Sequence, residues 1–170
     1  YYGAVDAGSG YGRIWPSHHM DADSATRCLD AFIADVGAKL GLFDAFKPHV
    51  VRSDQGTAFT SYHFWEFLAA RQIHQSLACT YTPQQNSHVE RFFGIVFGTA
   101  RVLLAAANLP PTFHPFALQT AAWLQNRLPR STRNWQSPYF LLSRQHPSVE
   151  NLYAFGCLCA ATIPRPRREG

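Results

Sequence analysis

Asp6, Asp54 and Glu90 are the three acids that their surroundings in the chain explain least. Asp6 follows the apolar run "GAV", Asp54 follows "VVRS", and Glu90 opens a long helical pattern. Singly, each has an ordinary use. Aspartate suits strand-to-turn junctions, and an acid in a first helical turn complements the helix dipole. Brought together, they would make a hard, oxygen-rich site for Mg²⁺ or Mn²⁺. Two such ions ~3.5–4 Å apart suit phosphodiester chemistry, because they hold the attacking and leaving oxygens on either side of phosphorus. No Ser-His or Cys-His pairing competes for a nucleophilic role.

Other constellations are weaker. Cys28, Cys79, Cys157 and Cys159 lack C-x2-C spacing, so the sequence predicts reduced, mostly buried thiols, as in an intracellular protein. The eight histidines show no ligand spacing, and His18-His19 would point to opposite faces of an extended segment. His88 is expected to face solvent. Asp21, Asp23, Asp30, Asp35 and Asp44 read as helix starts or polar helix faces, and Glu66 as part of an amphipathic helix.

For the three acids to meet, two strand ends must lie side by side and a helix must enter beneath them. Residues 1 to 16 read as a hairpin around "AGSGYG". Helical spacing follows from Asp21 or Asp23 to Gly41. Next come a buried strand over 49–53, a helix over 61–71 and a strand over 73–79. The polar loop "TYTPQQNSH" leads into a helix over roughly 88–107, with Val89, Phe93, Val96, Ala100, Leu103 and Ala107 along one stripe. A helix over 112–127, a short one at "SPYFLLS" and the strand-like "LYAFGCLCAATI" complete the pattern. Alternating strands and helices predict an α/β fold with a mixed sheet.

At 170 residues the chain suits one domain, burying about 70 % of its unfolded surface. With 46 % apolar and 15 % charged residues it is neither disordered nor supercharged. No apolar run approaches a membrane span, and nothing at the start resembles a signal peptide. "YYGAVDAG" reads as a strand already under way, so a piece of a longer polypeptide is expected. The formal charge of +4 and pI near 9.0 are compatible with a polyanionic partner. Arg127, Arg130 and Arg133, and in the tail Arg165, Arg167 and Arg168, are two clusters suited either to phosphate or to solvent.

From Asp54 to Glu90 there are 35 intervening residues, and the chain there contains "RSDQG" and "YTPQQNSHVER". These motifs resemble the catalytic core of retroviral-type integrases, most closely the copia-type LTR-retrotransposon branch. "LPPTFHPFALQTAAWLQNRLP", "SPYFLLS" and "HPSVENLYAFGCLCAATIP" extend the likeness along essentially the whole chain. The resemblance implies an RNase H-like fold, a mixed five-stranded sheet flanked by helices. The core would span 1–130, and 131–170 would be a helical and strand-like extension with a basic tail. It also implies a polynucleotidyl transferase that trims the 3′ ends of element DNA and joins them to target DNA with two Mg²⁺ (or Mn²⁺) ions. Asp6, Asp54 and Glu90 would hold the metals. Gln84, Gln85, Asn86, Arg91 and Arg101 would touch double-stranded DNA. A homo-oligomer working in the nucleus, otherwise in a cytoplasmic particle, follows from the family, with no membrane role.

The sequence departs from the family pattern at Gln55, Ala58 and Ser87, and along the helix after Glu90. Phe92 and Phe93 stand where the copia pattern has Lys-Asn, and Gly94 and Phe97 share the face of Glu90. Lost cations weaken phosphate contact. They support a second reading: a decayed or domesticated copy serving as a DNA- or protein-interaction module. Trp65, Trp123 and Trp135 are expected in packing, and Cys157 and Cys159 on one buried side of a strand.

Overall fold

The computed structural model describes residues 1–17, 19–78, 87–150 and 152–159. The first hairpin pairs β1 (Tyr2–Val5) with β2 (Gly12–Trp15), antiparallel, with Val5 opposite Gly12. The helix α1 (Ala22–Leu40) starts where Asp21 accepts a hydrogen bond from the Ser24 N–H. It ends on Gly41 in the left-handed region at φ 71°. Then follow β3 (Val50–Ser53), α2 (Tyr62–Ala70, capped by Ser61) and β4 (His74–Leu77). β3 and β4 pair in parallel across α2, as a strand-helix-strand unit requires.

The long α3 (Ser87–Ala107) packs along α4 (His114–Arg127). Ala100, Ala117 and Ala121 are wholly buried between them, and such small side chains let the two helices approach closely. Ile14, Phe92, Val96 and Leu118 fill the same cluster. A second cluster, around Phe64, Leu68 and Ile73, takes in Tyr2 and Val51. It therefore joins the hairpin to the β3–β4 unit through apolar side chains. Finally α5 (Pro138–Ser143), capped by Ser137, packs on α1 and α4, so the start of the expected extension rests on the core.

The α/β class is observed, but the expected five-stranded sheet is not. Among the described residues there are two separate two-stranded sheets. The strand-like C-terminal segment supplies no strand over 152–159. Gly156 turns there at φ 81° against Ala107 and Leu109, and Leu158 is fully exposed. An apolar run with no neighbouring edge to pair with stays a loop. For the same reason Cys157 and Cys159 are exposed, not buried, while Cys28 is half-buried. Trp65 and Trp135 also differ from expectation, at 54 % and 73 % exposed, whereas Trp123 packs beneath Arg127. Cys79, His18 and the tail arginines lie outside the described residues.

Candidate active site

Asp6 leaves β1 into a tight turn. Its N–H donates to the Tyr11 carbonyl (2.8 Å), and its own carbonyl accepts from the Gly10 N–H (2.7 Å). One carboxylate oxygen, Oδ2, accepts from both the N–H and the hydroxyl of Ser9, at 2.7 and 2.6 Å. The turn use of aspartate is thus met, while Oδ1 has no hydrogen bond among the described residues. The turn is clamped from two sides. Buried Asn126 of α4 accepts from the Gly12 N–H (2.9 Å) and donates to the Gly12 carbonyl (2.7 Å). Arg133 donates to the Gly8 carbonyl at 2.6 Å. Sequence reasoning missed Asn126; the available signal was one amide among the alanines on the inner side of α4.

Asp54 follows directly on β3 and is exposed, as are Gln55, Gly56 and Thr57. Its Oδ1 accepts from the Gly56 N–H at 2.9 Å. A β-carbon at Gly56 would stand 2.9 Å from that same oxygen, so glycine makes room for the turn. Two amides tie this exit to β4. Gln75 donates to the Ser53 hydroxyl and the Phe59 carbonyl, and Gln55 donates to the Ala78 carbonyl at 3.3 Å.

Glu90 is exposed in the first turn of α3. The helix is keyed to the hairpin two residues later. A β-carbon at Gly12 would lie 2.7 Å from the Phe92 ring, and one at Gly3 would lie 2.5 Å from Phe93 Cζ. Phe92 therefore sits over the Val5–Gly12 end of the hairpin, which brings the start of α3, with Glu90, to the end carrying Asp6. Of the residues expected to share the face of Glu90, Gly94 is open to solvent, but Phe97 turns inward to Tyr1 and His114. His88 is exposed, as expected. Arg91 and Arg101 are exposed on α3, about 15 Å apart along the axis. Gln84, Gln85 and Asn86 lie outside the described residues.

Among the described residues no three His, Cys, Asp or Glu side chains form a group fit to hold a metal ion. As they stand, Asp6, Asp54 and Glu90 do not close on a single ion position. The donor chemistry still suits divalent ions: carboxylate oxygens, each aspartate with one oxygen unengaged among the described residues. Asp35, expected on a polar helix face, is instead a half-buried hub. Lys39 and Arg13 reach it at 2.6 and 3.2 Å, and the Tyr11 hydroxyl donates to it at 2.8 Å. Burial pushes its carboxyl up, but the hydrogen bonds of Lys39 and Tyr11 and the charges of Lys39 and Arg13 outweigh that and hold it below its ordinary value.

Residues 1–83 match the integrase core domain family. The chain is 32 % identical over 118 residues to the retrovirus-related Pol polyprotein from transposon TNT 1-94 of Nicotiana tabacum, a stretch covering 69 % of this chain and 9 % of that one. It thus spans less than a tenth of that polyprotein's length. The fold matches a chain of the simian T-cell lymphotropic virus intasome in complex with PP2A regulatory subunit B56 gamma. The TM-score is 0.68 at 23 % identity, over 95 % of this chain and 52 % of that one. The HTLV-2 integrase catalytic core domain in complex with magnesium (trimeric form) matches with a TM-score of 0.61 at 25 % identity, over 82 % of each chain. The likeness read from the motifs is thereby shown: residues 1–83 match the integrase core domain family, and the chain is similar to copia-type retrotransposon Pol polyproteins and to retroviral integrase catalytic cores.

Proposed function

We propose that this domain acts as a metal-dependent polynucleotidyl transferase, trimming the 3′ ends of retroelement DNA and joining them to target DNA. The observation that carries the proposal is the seating of Phe92, two residues after Glu90, on Gly12 of the hairpin that carries Asp6, in a chain whose residues 1–83 match the integrase core domain family. Asp6, Asp54 and Glu90 are the residues that would hold two Mg²⁺ or Mn²⁺ ions. When bound, such ions stabilise the attacking and leaving oxygens of a phosphodiester. The protein's share is positional. Ser9 and the Asn126 clamp fix the Asp6 carboxylate, Gly56 aims Asp54, and the aromatic keys of α3 set where Glu90 begins its reach. Gln84, Gln85, Asn86, Arg91 and Arg101 are proposed to contact duplex DNA, the partner class of this reaction. Self-association and work in the nucleus belong to the same proposal. Among the described residues no helix is long and apolar enough to cross a membrane.

A specific observation favours a second reading, a catalytically decayed or domesticated relic acting as an interaction module. The carboxylates do not close on an ion, and Phe92 and Phe93 spend on packing the positions where the copia pattern carries Lys-Asn. One experiment separates the two. The purified domain is offered a branched DNA intermediate with Mg²⁺ or Mn²⁺, and strand resealing is measured. Resealing by the parent and its loss in Asp54→Asn support the enzyme. A folded parent without activity supports the relic.

A further inference from the structure

Arg133 lies against the hairpin end, Arg130 shares its loop, and Arg91 stands next to Phe92, whose ring covers Gly12. Arg133 lies over Gly10, where a β-carbon would be 2.7 Å from its Nη2, and it donates to Gly8. Arg130 comes from the same short loop, whose backbone is closed by the Arg130–Gln136 bridge, and it donates to the Gln125 side chain at 3.3 Å. Arg91 begins α3 beside Phe92, whose ring covers Gly12. Gly8 and Gly10 thus meet Arg133 itself, while Gly12 meets Phe92, the residue next to Arg91. Arg127, the other member of the sequence cluster, does not join them. It stacks on Trp123, 3.6 Å from the ring centroid, and donates to the Trp123 and Ser148 carbonyls.

The four ion pairs among the described residues use Arg13, Arg27, Lys39 and Arg71, and none of these three arginines. Each guanidinium carries five donors in a fork that matches phosphate oxygens. Arg130 and Arg133 each spend one on the protein. Gathering like charges with one of them half-buried is unfavourable unless an anion joins them. Burial, then the charges of Arg133 and Arg91, hold the Arg130 guanidinium below its ordinary value, which is the electrostatic mark of that crowding.

We propose that Arg91, Arg130 and Arg133 form a phosphate seat for the backbone of duplex DNA passing the turn that carries Asp6. The proposal rests on the reading of this chain as a DNA-acting domain, and requires no catalysis. Its test is binding of a labelled short duplex to the intact chain in metal-free buffer with chelator, across a salt series. The log–log salt slope is expected to fall by about 0.9 for each guanidinium removed. Arg91→Gln should therefore show one such step, and the triple Gln variant about three. Arg27→Gln, removed from a surface pair on α1, should leave the slope unchanged. An unchanged slope in the folded triple variant overturns the seat, as does an equal drop in Arg27→Gln. If the triple variant fails to fold, Arg91→Gln decides alone, because that exposed side chain has no hydrogen bond or ion pair to lose among the described residues. Inorganic phosphate competing as well as duplex would also overturn it, since a seat for one phosphate is not a DNA track. A chain that binds with this arginine dependence but reseals nothing keeps the seat and loses the enzyme.

Discussion

The turn that carries Asp6 and the turn that carries Asp54 are built by opposite means. Both place an aspartate after a strand and both close a local hydrogen bond onto its carboxylate. Around Asp6 the chain has added a buried amide from α4, a guanidinium from the loop beyond it and an aromatic ring from α3. Around Asp54 there is solvent, with two glutamine amides lashing the strand exit to its neighbour. The difference shows where position has been built in. One acid is a fixed point to which three elements refer, and the other sits on an arm that local turn chemistry alone restrains.

That contrast can be broken at the crowded end first. Phe92→Ala empties a buried site beside Gly12 that no neighbour can refill, and should destabilise the domain by about 3–5 kcal/mol; urea titration measures this. A loss below about 1 kcal/mol would mean that the helix is not keyed there. Next is the anchorage of Tyr11, in the same turn, to Asp35. The folded carboxyl is held below its ordinary value, so its contribution is full above the ordinary carboxylate range and is lost as pH falls through the lowered value. Asp35→Asn should lower stability near neutrality and flatten the acid side of the stability–pH curve. An unchanged acid slope would remove this network from the account. At the open end, Gln55→Ala breaks one long, part-buried 3.3 Å hydrogen bond from an exposed residue and should shift stability by no more than about 0.5 kcal/mol. A larger cost would show that the Asp54 exit is braced more firmly than its exposure suggests.

Much of this framework was legible in the chain. Asp21, Ser61 and Ser137 announce helix starts, Gly41 announces a stop, and apolar spacing marks the inner faces, because capping and amphipathicity are local. The clamp by Asn126 was not, since its partner is the backbone of a residue 114 positions away and the polar Gln125 and Arg127 beside it give no sign of burial. Of the phenylalanines after Glu90, Phe93 was legible as part of the apolar stripe and Phe92 only as missing charge. That they are ring-shaped fillers over Gly3 and Gly12 becomes apparent once strand and helix are side by side. The strand expected in the C-terminal extension is not seen over 152–159, for an apolar run announces burial or β-structure but carries no information about an available edge. The proposed phosphate seat takes Arg130 and Arg133 from one stretch of sequence and Arg91 from another helix, a grouping that spacing along the chain does not announce.

The two rings over two glycines have a mechanical consequence. Sliding α3 along the hairpin by even one 1.5 Å residue step would drive an aromatic ring into a backbone position that bears a side chain. The helix is therefore indexed, like a gear tooth in its notch. Any approach of Glu90 toward Asp6 must come from torsions of the glutamate itself and of the turn it begins, while the axis behind it stays put.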